Sequence, residues 1–175
     1  DYNGYRKLVL EDYLIVKEYF PLLKLTSLPC LNPKEIYITG NLIPIEVYND
    51  CKSSYDIDRN SFKILSIYPY DFPNDNIYVE DFYGKIDWAK IPCEHRHQNL
   101  HPKTKREILC THHPYGEING FRQNERTIAI LFSAWKIYRQ YKTYQITKEW
   151  TLPDLEHGDN AKEQLKEMGK YYGRY

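Results

Sequence analysis

Phe62-Lys63-Ile64-Leu65-Ser66-Ile67-Tyr68-Pro69-Tyr70-Asp71-Phe72-Pro73 is followed, after three polar residues, by Ile77-Tyr78-Val79-Glu80-Asp81-Phe82. The first seven residues alternate as a strand does, and the run from 77 to 82 is again β-rich. Between them two prolines four positions apart fix φ and withdraw two backbone donors, so pairing stops and the chain leaves the sheet through a stiff turn. Upstream, residues 35–40 and 42–48 are also β-rich and are separated by Gly40-Asn41, a turn signal, while the polar stretch 49–60 reads as a loop. Earlier still, Leu10, Leu14, Ile15, Tyr19 and Phe20 recur at helical spacing until Pro21 ends the pattern. The expected order is therefore a helix and then an antiparallel meander of about four strands.

Downstream, residues 84–127 carry no regular periodicity, a length that inside a compact domain usually serves a function. Order returns with Ile128, Leu131, Phe132, Trp135 and Tyr138, an apolar stripe for which Asn124 is the expected cap. A short helix is expected over 161–168 in a polar tail. Helices segregated from a meander make the fold class α+β.

Composition narrows the function classes. The 175 residues suit one domain. Lys plus Arg and Asp plus Glu are 24 each, so no overall field draws in a phosphate backbone, and nucleic-acid binding is not expected. Apolar runs such as 128–132 are far too short to cross a bilayer, and no charged-then-apolar segment opens the chain, so no membrane role and a cytoplasmic setting are expected. Cys30, Cys51, Cys93 and Cys110 show no paired spacing and read as reduced thiols.

The irregular segment concentrates the chemistry. Cys93-Glu94-His95-Arg96-His97-Gln98-Asn99 leads to Ile108-Leu109-Cys110-Thr111-His112-His113. A thiol, a carboxamide and several imidazoles lie close together, the parts of a cysteine nucleophile with electrostatic support. Bland alternatives exist for each. A free cysteine is most often a small buried hydrophobe, Asn99 suits a turn, and His112 and His113 suit a solvated loop. Zinc is a sharper rival, because Cys93, His95, His97, His101, Cys110, His112 and His113 are all competent ligands; their spacing, however, matches neither a Cys-x-x-Cys pair nor a His-Glu-x-x-His helix. No cofactor is expected.

The order of these signals resembles the ubiquitin-conjugating enzymes. In that family a helix precedes a four-stranded meander, a Tyr-Pro-type turn joins the third and fourth strands, a His-Pro-Asn tripeptide follows, and the catalytic cysteine precedes a helix. Here residues 62–68, 68–73, 77–82, His97-Gln98-Asn99, Cys110 and 127–141 occur in that order, so the resemblance covers roughly residues 10–141. It implies a domain over 1–150, with 151–175 a polar extension. It also implies that Cys110 forms a thioester, that Asn99 donates to the oxyanion, and that His97 braces the loop. His112 or His113 would assist the thiol.

Gln98 stands where the family has proline, and Thr111-His112-His113 stands where it commonly has Leu-Asp. These departures are more similar to divergent bacterial relatives, including the stand-alone conjugating enzyme of cyclic-oligonucleotide anti-phage systems. That resemblance implies a cGAS-like nucleotidyltransferase as partner, joined through its C-terminus. A bacterial ubiquitin-like modifier with a separate activating enzyme is the alternative donor, and a non-catalytic scaffold of the same fold is the alternative function.

Overall fold

A computed structural model describes residues 2–27, 35–101, 105–112, 121–152 and 166–167. Helix α1 spans Tyr2–Tyr19 and buries Tyr5, Val9, Asp12 and Val16, one stripe at helical spacing. It starts well before Leu10, and Leu10 and Leu14 face outward. Pro21 ends it, as the sequence predicts, and the chain enters a four-residue strand, β1 (Leu23–Thr26). Strand β2 (Ile36–Leu42) runs straight through Gly40. The expected turn is absent because Gly40 has another purpose: it sits opposite Leu23 with φ +138°, where a Cβ would lie 2.3 Å from the Leu22 carbonyl oxygen.

The alternating run after Leu42 is not a strand. Pro44 supplies no donor and stands at the N-terminus of a short helix, α2 (Ile45–Asp50). The polar stretch beyond it holds α3 (Ser54–Asn60), whose N-cap Ser53 accepts from the Asp56 backbone N–H at 3.2 Å. Strands β3 (Phe62–Tyr68) and β4 (Tyr78–Asp81) follow, joined through the Tyr68–Pro73 turn, in which the Phe72–Pro73 peptide is cis. The sheet is an antiparallel meander in the order β1-β2-β3-β4. The sheet has four strands, as expected, but only three of the expected runs supply them: residues 42–48 contribute none beyond Leu42, and the unforeseen β1 takes the fourth place.

Helix α4 (Gln123–Thr147) begins ahead of Asn124, with Arg122 at its N-cap and the Glu125 carboxylate accepting the Arg122 N–H at 3.2 Å. Its buried residues Thr127, Ile130, Leu131, Ala134, Ile137, Tyr138 and Tyr141 face the sheet and α1. Phe62 stacks on Tyr138 at 4.8 Å, and Tyr68 Oη donates to buried Asp12 at 2.6 Å, pinning α1 to β3. The core thus fills the space between one sheet face and the two long helices. The cross-strand register puts Tyr37, Leu65, Ile67, Tyr78 and Glu80 on the opposite face, where Tyr37, Leu65 and Ile67 form a second, small cluster. Mixed α+β architecture with an amino-terminal helix, a four-stranded antiparallel sheet and a carboxy-terminal helix is as expected. Of the expected helix over 161–168, Lys166 and Glu167 are described and helical, and the rest lies outside the described residues. Among the described residues no helix is long and apolar enough to cross a membrane.

Candidate active site

The long segment without periodicity is built of short pieces. Single 3-10 turns at Trp88–Lys90 and Cys93–His95 lead into a hairpin of β5 (Gln98–Leu100) and β6 (Glu107–Leu109). Lys105 takes φ +59° in the connecting loop, and the His101 N–H donates to the Arg106 carbonyl at 2.8 Å, which sets the register. The hairpin shares no ladder with the main sheet, but β6 packs alongside β4. Arg106 forms an ion pair with Glu80 of β4 at 2.6 Å, and the buried His101 ring meets Tyr78 edge-on at 4.6 Å. These contacts lay the loop end of the hairpin over the outer face of the sheet.

The register decides which side chains can cooperate. Asn99 pairs with Ile108, and two rungs further, past the Gln98–Leu109 pair, the Cys110 N–H donates to the His97 carbonyl at 2.8 Å. Because strand residues alternate faces, His97, Asn99, Ile108 and Cys110 share one side of the hairpin. Asn99 and Cys110 are diagonal neighbours, for which roughly 7–8 Å between backbones is usual. Asn99 is exposed, and its Oδ1 accepts the Leu100 N–H at 2.8 Å. That bond occupies the carboxamide oxygen and leaves the NH₂ as the group offered outward.

Cys110 differs from expectation in one respect. A nucleophile assisted by His112 or His113 calls for an accessible thiol of lowered pKa; instead the thiol is half-buried, and burial pushes it above its ordinary value of 9.0. Leu109 and Ile108 are drawn inward with their strand and carry the sulfur with them, and Sγ makes no hydrogen bond to any described residue. Among the described residues the exposed thiol is Cys93, in the second 3-10 turn, while Cys51 donates to the Val47 carbonyl at 3.3 Å. Cys30 and His113 lie outside the described residues.

His112 engages both ring nitrogens. Nε2 lies 3.4 Å from Asn76 Nδ2 and Nδ1 lies 3.0 Å from Thr111 Oγ1. The His97 carbonyl accepts the Cys110 N–H, a main-chain bond that any residue there could make, and the His97 ring does something unforeseen. It stacks on Trp150 at 5.7 Å and 16°, and His95 stacks on the same indole at 5.8 Å and 8°. Trp150 follows α4 and offered no periodic signal. Among the described residues no three His, Cys, Asp or Glu side chains converge to hold a metal ion.

Comparison of the chain with protein-family models, with curated proteins and with solved structures returns no match in any of the three.

Proposed function

We propose that the chain is an acyl carrier of the ubiquitin-conjugating type, with Cys110 as the acceptor of a partner protein's C-terminal carboxyl group. The observation that supports this reading is the hairpin register, which sets the Asn99 carboxamide and Cys110 on one face, diagonal to each other. The Cys110 thiolate attacks the carbonyl carbon of an activated C-terminus. The C–S bond forms first, giving a tetrahedral intermediate whose collapse breaks the bond to the activating group, and that group leaves with the electron pair. The thiol proton passes to a base or to water. The tetrahedral intermediate carries an oxyanion to which the Asn99 NH₂ donates, and loss of such a donor typically lowers the rate about 10²–10³-fold. An acceptor nucleophile then takes the acyl group and restores the thiol.

The sequence resemblance supplies the candidate donor, the C-terminus of a cGAS-like nucleotidyltransferase in anti-phage signalling. Activation comes from that partner's own assembly or from a separate activating enzyme, and a ubiquitin-like modifier is the other donor of the same chemistry. A second reading, a binding module that does not transfer acyl groups, is favoured by the burial of Cys110, which pushes its thiol upward and disfavours the thiolate. Co-expression with the nucleotidyltransferase and its activating enzyme separates the two. We expect an adduct that thiols cleave, that Cys110→Ser turns into a thiol-resistant ester, and that Asn99→Ala slows without weakening association. An adduct that persists in Cys110→Ala refutes the assignment and leaves the binding module.

A further inference from the structure

The segment after α4 is folded onto the helix by its own bonds. Lys148 takes the left-handed conformation, φ 62°, and its N–H returns to the Tyr144 carbonyl at 3.0 Å, so the helix stops and the chain reverses. Gln140, buried on α4, then grips the returning segment on both sides of Trp150. Its Nε2 donates to the Glu149 carbonyl at 3.1 Å, and its Oε1 accepts from Thr151 Oγ1 at 2.6 Å. Held at both flanks, the Trp150 indole lies nearly parallel to the His95 and His97 rings and meets Tyr144 edge-on at 6.1 Å. His97 is the residue whose carbonyl holds the Cys110 N–H. A continuous set of contacts therefore runs from Gln140 through Trp150 and His97 to the backbone of Cys110.

We propose that Trp150 is a positioning residue for Cys110: its indole clamps His95 and His97, and so fixes the strand that sets Cys110 against Asn99. The inference rests on the acyl-transfer reading for its consequence, although the clamp itself does not. Where reacting groups must be held in one geometry, a displacement of about 1 Å costs on the order of 10²-fold in rate. Trp150→Ala should therefore slow acylation of Cys110 by at least about tenfold, and Trp150→Phe, which keeps a flat ring in the slot, should recover most of it.

The probe is a synthetic peptide α-thioester offered to the full chain. The Cys110 thiolate attacks its carbonyl, the small thiol leaves, and one thioester replaces another, located by peptide mapping. Two further readouts run alongside: the ring-current shifts of the His95 and His97 imidazole protons, and iodoacetamide labelling rates at Cys110 and Cys51. We expect Trp150→Ala to abolish the ring-current shifts and slow Cys110 acylation while Cys51 labels at its original rate. Thr151→Val, a milder release of the same strap, should move in the same direction and serves if Trp150→Ala does not fold. Unchanged Cys110 acylation after the ring-current shifts are lost overturns the proposal, and so does a matching rate change at Cys51, which marks general loosening. If the native chain acylates Cys93 but not Cys110, the acyl-transfer reading fails instead. The clamp is then judged on Cys110 labelling alone, and an unchanged rate in Trp150→Ala overturns it.

Discussion

Arg106→Ala is the most informative single change, because it removes the charged pin between the candidate site and the sheet. Glu80 is 5% exposed and its Oε1 has no hydrogen-bond partner among the described residues, so the 2.6 Å contact with Arg106 carries its compensation. Breaking a fully buried pair costs about 3–5 kcal/mol, and an exposed one is worth about 0–1. The Arg106 side chain is 38% exposed, which places this pair between the limits, at about 1–3 kcal/mol. For a chain of this size that lowers Tm by roughly 3–10 °C. Burial, opposed by the Arg106 charge, raises Glu80 above its ordinary value of 4.5. The folded chain therefore binds that proton more tightly than the unfolded chain, and stability falls as pH rises through the folded pKa. Removing Arg106 raises the folded value further. The difference between variant and native melting temperatures should be full at pH 7 and shrink as pH falls toward 4.5, where Glu80 is neutralised. Arg106→Met combined with Glu80→Gln should recover much of the loss at pH 7, since no unpaired charge remains. A loss of equal size at both pH values would refute the pairing argument and assign the effect to packing of the arginine stem.

Gly40→Ala should cost about 2–3 kcal/mol, since φ +138° is strained for any side chain and the new Cβ meets backbone rather than a flexible side chain. Urea unfolding checks it: the midpoint should fall with the slope unchanged, and a midpoint within error of the native chain would contradict the close approach. Of Cys51, Cys93 and Cys110, alkylation at pH 7 followed by peptide mapping should label Cys93 first, with Cys110 slower and still accelerating as pH passes 9.0. Faster labelling of Cys110 than of Cys93 at pH 7 would show that burial does not govern its reactivity.

What the sequence made legible was local chemistry. Pro69 and Pro73 announce the exit from β3 because a missing N–H acts wherever it stands, and α1 and α4 are long enough for helical spacing to show, although the buried stripe of α1 is Tyr5, Val9, Asp12 and Val16 while Leu10, Leu14 and Tyr19 are exposed. Ile45-Glu46-Val47-Tyr48 misled because its period is that of a strand, while the β2–β3 ladder ends at the Leu42–Phe62 pair and Pro44 offers no donor to extend it. Strand β1 has only four residues after a proline and leaves no countable period. Gly40 reads as a turn because sequence does not distinguish a bend from a close approach. In the site, the presence of Asn99 and Cys110 was readable and their relation was not. It depends on the loop at Lys105, since a slip of one residue would send one of the two to the opposite face. Trp150 was invisible because its contact depends on a reversal at Lys148, a residue with no special preference for it.

A ladder of three residue pairs, separate from the main sheet, gives the hairpin its own opening equilibrium. Such a unit separates from the body at a free energy below that of global unfolding, set here by the Arg106 and His101 side-chain pins at its loop end rather than by shared backbone bonds. The half-buried sulfur of Cys110 consequently meets solvent in proportion to the fraction of time the leaf stands open. Every 1.4 kcal/mol added to or taken from those pins changes that fraction about tenfold. A partner that gripped the leaf would act as a tuner of thiol exposure without touching the sulfur, while the α1–β3–α4 body kept its full protection.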